Sequence, residues 1–473
     1  VAAAIEVLRA GGNAYDAAVA AGFAAAVAEP GLSSLAGGGF LLARTAPSRD
    51  RPPEEILFDF FVDTPGRGRD RRDEPPRLTP VTVRFKGADQ VFHVGHGSVA
   101  VPGCLAGYLH VHARLGRLPL REVVAPAVRF ADQGVVIGPQ QAAVVRLLEP
   151  ILTSTDEGRG RYLVDGGAYT DDAIMVNRPL SAFLAAVGDG TIRGFDDPDL
   201  AATIEADMVA AGGILTAEDL RAYRVIERRP LAAWHRGARL LTNPPPSYGG
   251  TLIARALTAL STQGVAPPSG SGAALRQMAD TLDEVTRFHT APRLLSTKGT
   301  THVSIADDEG NLASMTTSNG SCSGVIFPGT GVMANNIMGE QDLHPAGFHS
   351  AAAGERVGSM MSPSILVPAD DEPVVLGSGG SERIRSALTQ VLVALLDHGV
   401  SLPEAVAAPR IHWDGSAVQV EPGFPDDALE ELAVDRPINV WNDTDLFFGG
   451  VHAVRPSGIC VGDQRRGGST ATA

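Results

Sequence analysis

The stretch from Asn13 to Leu42 constrains this chain more than any other, because a run of alanines and glycines is followed shortly by Gly37-Gly38-Gly39. Side chains this small cannot fill space, so the backbone that carries them must lie close to other backbone. Asn13 therefore reads as the start of a buried helix of Ala and Val that ends before Pro30. A first helix precedes it and stops at Gly11-Gly12, and the triple glycine is a turn feeding the apolar strand Phe40-Leu41-Leu42. Composition agrees: aromatics are only 5% of the chain, and 54 Gly with 33 Pro indicate many turns and close backbone approaches. A hydrophobic fraction of 44% supports a large core and excludes disorder.

Lys and Arg total 39 against 54 Asp and Glu, a formal charge of −15 that repels phosphate backbones and anionic lipid. Nucleic acid and membrane surfaces are thus excluded as partners. The Ala17 to Ala28 run is broken by Gly22 and stopped by Glu29-Pro30, so it is a buried helix and not a membrane span. Three scattered cysteines, Cys104, Cys322 and Cys460, offer neither a zinc cluster nor a disulfide framework and favour the cytoplasm. The chain opens at Val1 already in a helical pattern, and a leader upstream of Val1 would be compatible with export.

Further along, Thr64 to Pro76 reads as a solvated loop, where Arg67, Arg69, Arg71 and Arg72 are offset by interleaved acids. Strands are expected at Val81 to Phe85 and Val99 to Val101, then a helix on which His110 and His112 face different ways and hold no metal. Thr216 caps a helix, and Pro244 to Gly250 is a stiff turn before another. Pro267 to Gly272 is a linker, after which Leu275, Met278, Leu282 and Val285 form one helical stripe. The pattern dissolves from Ala291 to Gly299. Then Thr301 to Ala306 and Leu312 to Thr317 form a hairpin around Asp307 to Gly310. Ile365 to Val367 pairs with Val374 to Leu376, and a long helix runs from Ile384 to a Gly399 cap. This order of elements implies sheets packed between helical layers.

Signatures of zincins, nucleotide-phosphate enzymes and serine hydrolases are absent. What remains is Gly299-Thr300-Thr301-His302 at the start of the hairpin and Gly377-Ser378-Gly379-Gly380 after a distant strand. Thr pairs and Gly runs are ordinary in strands and turns. The sharper reading is a nucleophile created by a cut before Thr300, since a terminal threonine carries both a hydroxyl and an α-amine of pKa about 7.7–8.0.

Gly11 to Ala20, Gly37 to Leu41, Pro102-Gly103, Leu118-Pro119-Leu120, Pro126-Ala127 and Pro244 to Gly250 occur in an order that is not random. With Thr300-Thr301-His302, Asn335-Asn336, Met361-Ser362-Pro363, Gly377 to Arg383 and Ala408-Pro409-Arg410, they give the chain a resemblance to the γ-glutamyltransferase (γ-glutamyl transpeptidase) family along nearly its whole length. The resemblance implies an α/β fold, the four-layer αββα sandwich of the N-terminal-nucleophile (Ntn) hydrolases. It also implies self-cleavage at Gly299/Thr300 into a large subunit, 1–299, and a small one, 300–473, which together make one domain. Thr300 would be the nucleophile, Gly379 and Gly380 the oxyanion hole with Ser381 as an alternative, and Ser318, supported by Thr301, the group that orients Thr300. His302 either tunes the site or packs beneath it, and Lys298 is loop material.

The sequence departs from the family where a glutamyl donor is gripped. In Asp59-Phe60-Phe61-Val62-Asp63, Phe61 stands at the family's carboxylate-binding arginine. The places that hold the donor's amine correspond to Gly320, with Asn319 adjacent, Ile337 and Glu340, and one of two serines is replaced by Met360, leaving Ser359. A pocket containing Phe61, Ile337 and Met360 would leave a buried carboxylate unpaired, at a cost of several kcal/mol. The expected activity is an amidohydrolase or acyltransferase acting on a small amide or peptide, without metal or organic cofactor. The alternatives are a true γ-glutamyltransferase or glutathione hydrolase whose carboxylate anchor has moved, to Arg67 or Arg69 for example, and an uncleaved binding protein. A homodimer of cleaved heterodimers is compatible with either enzyme.

Overall fold

The computed structural model describes residues 1–48, 51–69, 75–84, 89–164, 167–288, 299–344 and 346–473. Its centre is two sheets packed face to face. The first has five strands in the order Gly299–Ala306, Leu312–Gly320, Gly38–Arg44, Glu55–Phe60 and Ile226–Arg228. The second has six: Leu231–His235, Ala238–Thr242, Ser364–Val367, Val374–Gly379, Gly450–Val454 and Cys460–Val461. Helices Ala14–Ala28 and Cys104–Leu115 cover the first sheet, and Gly249–Thr262 and Arg383–Leu396 cover the second. These four layers form the expected αββα sandwich, with strand Gly299–Ala306 at an outer edge and against Val374–Gly379 of the other sheet.

The sheets meet through alternating side chains. Along Gly38–Arg44, Phe40 and Leu42 join the cluster that contains Leu240, Ile365, Leu376 and Val451 of the second sheet. Leu41 and Ala43 point the other way, into a cluster with Ala17, Val19 and Phe23 of the alanine-rich helix. That helix is buried almost all round, and a Cβ on Gly22 would lie 2.6 Å from the Tyr108 ring. The triple glycine has the same cause: a Cβ on Gly39 would stand 2.6 Å from Thr316 O, where Gly39 pairs with Thr317.

Two capping devices fix the hairpin that starts at Gly299. Asn13 accepts from the Tyr15 and Asp16 amides while Asp16 accepts from Asn13 N–H, a reciprocal cap on the alanine-rich helix. In the hairpin turn, Asp307 accepts from Glu309 and Asn311 amides, Gly310 takes φ +90°, and the second Asp307 oxygen accepts from Ala14 N–H at 2.9 Å. The turn is thereby tied to the helix terminus.

Both hairpins, the Thr216 cap, the stripe at Leu275 to Val285 and the long helix after Gly380 lie where the sequence places them. Val99 to Val101 is a correction: it forms no strand, only a single bridge from Val101 to Asp63. The partner of strand Thr79–Arg84 is Asp89–Val94 instead. Its expected end at Phe85, Arg71 and Arg72 of the loop, and the segment 291–298 with Lys298 lie outside the described residues. His110 and His112 bond separately, to Glu227 and to Leu118 O. Among the described residues no helix is long and apolar enough to cross a membrane.

Asp16 tests this frame, because it is fully buried and accepts from the Asn13, Arg117 and Leu118 amides. Asp16→Ala strands three donors and is expected to cost about 2–4 kcal/mol, read as a lower urea midpoint, with Asp16→Asn in between.

Candidate active site

The Gly299–Thr300 peptide sits at an irregularity in the edge strand. Gly299 pairs with Gly320, Thr301 with Thr317, and the register shifts between them. Ser318 Oγ donates to Gly299 O at 2.5 Å and accepts from Gly320 N–H at 3.0 Å. On one side a Cβ on Gly299 would lie 2.6 Å from Gly31 O, so the turn after the alanine-rich helix presses on this bond. On the other, a Cβ on Gly379 would lie 2.7 Å from Thr300 O and 3.4 Å from Thr300 Cβ. Only glycine permits that approach. Gly380 has φ +122°, and Ser381 φ +54°, a left-handed conformation that is uncommon for serine. Thus Gly299, Thr300, Ser318 and Gly379 meet at one point, with Gly380 next to it.

Thr301 faces away from this junction: its hydroxyl donates to Glu29 at 2.5 Å. Burial pushes the Glu29 carboxyl up, opposed by that hydrogen bond. Thr300 and Thr301 both line a groove of about 1300 Å³ that runs along the free edge of the strand. Glu29, Ser321, Gly379 and Arg466 line it as well.

His302 packs on Gly377, where a Cβ would lie 2.1 Å from its ring. Ser304 Oγ donates to His452 O at 3.0 Å, so it accepts from His302 Nε2–H, and Nδ1 accepts from the Thr316 hydroxyl at 2.8 Å. Both nitrogens are satisfied by a neutral ring, and burial holds its pKa well below the usual value. Of the two roles left open for His302, tuning and packing, this geometry is that of a packed histidine.

The donor-side residues do not form one pocket. Phe61 stacks on Phe40 at 5.6 Å between centroids, and with Ile337 it belongs to the cluster between the sheets. Met360 lies apart, against Leu252, Ala256 and Val285 beneath two helices, which corrects the expectation that it shares a pocket with Phe61 and Ile337. Ser359 Oγ accepts from Met361 N–H and its carbonyl accepts from Tyr248 N–H. Glu340 does approach the junction, since its Oε1 lies 2.8 Å from a Cβ built on Gly320. Around the same glycine, Asn319 Oδ1, Ser321 Oγ and Asn336 Nδ2 are buried without a hydrogen-bond partner among the described residues. Neither Arg67, which lies near Asp219 and Gly354, nor Arg69, which donates to Gly213 O, lines the groove.

Comparison with known proteins follows this geometry. The Gamma-glutamyltranspeptidase family profile matches residues 1–295 and 275–473. The chain belongs to the gamma-glutamyltranspeptidase family. An Acylase ACY 1 proenzyme from Pseudomonas sp. (strain SE83) is 31% identical over 98% of this chain and 89% of its own. The Glutathione hydrolase proenzyme of Escherichia coli (strain K12) is 27% identical over 90% and 82%. A cephalosporin acylase from Bacillus halodurans superposes with a TM-score of 0.81 at 24% identity, over 99% of this chain and 93% of that one, and this likeness establishes the Ntn-hydrolase fold. The family consists of autoprocessing enzymes, hydrolases and transferases with an N-terminal nucleophile, and its acylase members fit a donor pocket altered from the glutamyl type.

Glu29, Ser321, Asn336 and Arg466 were not singled out as site residues by the sequence. Asn336 belongs to the Asn335-Asn336 pair of the family resemblance and Ser321 adjoins Gly320, whereas Glu29, bound to Thr301, and Arg466, against Gly379, arrive by tertiary contact without a local pattern.

Acid stability follows from the inter-sheet histidines. Burial lowers His452 from 6.5 to about 4, and His302 moves in the same direction. Below pH about 6.5 the unfolded chain binds protons that the fold refuses, so stability falls as pH drops towards 4. Urea midpoints should decline over that window, and more shallowly in His452→Gln.

Proposed function

We propose that this protein is an autoprocessing amide hydrolase or acyltransferase whose nucleophile is Thr300, released by cleavage at Gly299/Thr300 into subunits 1–299 and 300–473. The observation that carries this reading is the hydrogen bond from Ser318 to the carbonyl of Gly299, at a point where Gly379 abuts Thr300. In maturation, Thr300 Oγ attacks the Gly299 carbonyl carbon, and an ester forms as the Gly299–Thr300 amide breaks. The hydroxyl proton passes to the new Thr300 amine. Ser318 donates to the oxygen that becomes negative. Water then hydrolyses the ester, leaving a Gly299 carboxylate and a free Thr300.

With substrate the same atoms act again. Thr300 Oγ attacks the amide, its amine takes the proton and returns it to the leaving amine, and water or an amine accepts the acyl group. Backbone N–H groups at Gly379 and Gly380 stabilise the tetrahedral oxyanion.

The donor is an acyl group other than ordinary γ-glutamyl. Phe61 replaces a carboxylate clamp and is 1% exposed, in a position where burial stabilises by roughly 1.5–3 kcal/mol. Arg356, the guanidinium nearest to it, is occupied by Asp59, Asp63 and the Phe61 carbonyl. Glu340, beside Gly320, is the residue through which an ammonium would still be held. Three free cysteines support a reducing compartment, and a dimer of cleaved heterodimers belongs to the same reading.

Intact mass and N-terminal sequencing test the cut: wild type should give a fragment starting at Thr300, and Thr300→Ala one uncut chain. Ser318→Ala should slow cleavage by about 10²–10³-fold. Simple acyl anilides should be turned over faster than γ-glutamyl anilide. The reverse order would identify a γ-glutamyltransferase with a moved anchor, and an uncut wild-type chain would identify a binding protein.

A further inference from the structure

The turn that follows the alanine-rich helix touches the Gly299–Thr300 peptide on both sides. Before the peptide, Gly31 O and Leu32 Cα lie 2.6 and 2.9 Å from the position of a Cβ on Gly299, and Leu32 O accepts from Asn319 N–H at 3.1 Å. After it, Glu29 Oε2 accepts from the Thr301 hydroxyl at 2.5 Å. The nitrogen between these two contacts is the one that a cut would turn into the Thr300 amine. Glu29 thus brings a carboxylate to the wall of the groove that Thr300 also lines, and bonds to the residue next to that nitrogen. No step of the chemistry described above uses it.

The other titratable groups around this corner are neutral, engaged elsewhere or exposed. His302 and His452, one from each sheet, are neutral because burial lowers both. Arg466, against Gly379, lies in the field of Asp463 and Asp445, and Arg455 pairs with Asp371. Asp307 is bound by the hairpin turn and by Ala14, while Asp308 and the Ala473 carboxylate are exposed. Glu340 stands on the Gly320 side of the junction. The Val1 amine, at the start of helix Ala2–Arg9, interacts with Glu29 itself. Burial pushes the Glu29 carboxyl up, and the Thr301 hydroxyl and that amine pull it back. An ammonium at Thr300 adds to the pull, because an opposite charge nearby favours the ionised carboxylate and is favoured by it.

We propose that Glu29 is a positioning residue that acts through Thr300: as the Thr300 amine takes the hydroxyl proton, the Glu29 carboxylate stabilises the ammonium that forms. Oγ bonds to the substrate carbonyl carbon as its proton moves to the amine. That proton then leaves on the departing amine when the C–N bond breaks, and Glu29 neither gains nor loses one. Nucleophile, base and a third group that holds the base's charge make a chain of three, with the first two on one residue. The proposal rests on the amide-hydrolase reading above and deepens it by naming the group that sets the pH at which the enzyme works.

The test compares cleaved wild type with Glu29→Gln, which keeps an acceptor for the Thr301 hydroxyl and removes the charge. Turnover of an acyl anilide needs the free amine, so the acid limb of kcat/KM reports how tightly the amine holds its proton. A nearby carboxylate tightens that hold, and its removal should move the limb to lower pH by about 0.5–1 unit. Glu29→Asp should fall in between. The amine is also read without turnover, from the rate at which cyanate carbamylates Thr300 across pH, followed by mass spectrometry of the small subunit. The same downward shift is expected. Each variant is checked for cooperative thermal unfolding, and Glu29→Ala, read in the same way, replaces a glutamine variant that does not fold. Profiles that stay in place or move upward overturn the proposal and leave the amide-hydrolase reading standing. A downward carbamylation shift in a cut protein that turns over no anilide overturns that reading and leaves Glu29 assigned to the amine. An uncut wild-type chain overturns both.

Discussion

Contact between the two sheets at Thr300 and Gly379 is the constraint on which the rest of the site depends. A side chain at residue 379 would collide with the Thr300 carbonyl, so the separation of the sheets at this corner is set by backbone and not by side chains. Everything nearby follows from that closeness. Gly377 leaves room for the His302 ring, Gly380 takes a conformation that favours glycine, and Ser318 comes within hydrogen-bond range of Gly299 O. Larger residues line the layers farther out, where Phe40 and Phe61 fill the space between the sheets.

The same closeness governs electrostatics. Polar groups between the sheets are satisfied one by one, as His302 is by Thr316 and Ser304 and Ser314 is by Leu376 O. Several buried charges are paired. Arg356 is neutralised by two aspartates, and the arginines of the C-terminal part share Asp463 and Glu421.

Much of this was legible in the sequence, and for identifiable reasons. The alanine-rich helix, the triple glycine and the Gly299 hairpin carry local signals: small residues where backbones touch, alternation where a strand has two faces, and turn residues between them. Thr300 stood out because breakers precede it and a strand follows. Phe61 and Ile337 were found as departures, yet their burial between the sheets was not, and Met360 was assigned to the wrong neighbours because adjacent residues on an irregular segment point to different clusters. Val99 to Val101 has the composition of a strand but one bridge only, to Asp63. Glu29 and Arg466 had no signal at all, being separated from Thr300 by 271 residues in one direction and 166 in the other.

The tie between Asp307 and the Ala14 amide has a mechanical meaning. A strand whose first residue becomes a chain end would ordinarily fray, and a frayed nucleophile spends most of its time pointing nowhere useful. Here the far end of the strand is moored to the terminus of a buried helix through one carboxylate, while Thr301 is fastened to Glu29 one residue beyond the Gly299–Thr300 peptide. Severing the backbone would thus release one residue and not a segment, so the liberated amine would gain a proton-exchanging lone pair without gaining freedom to wander.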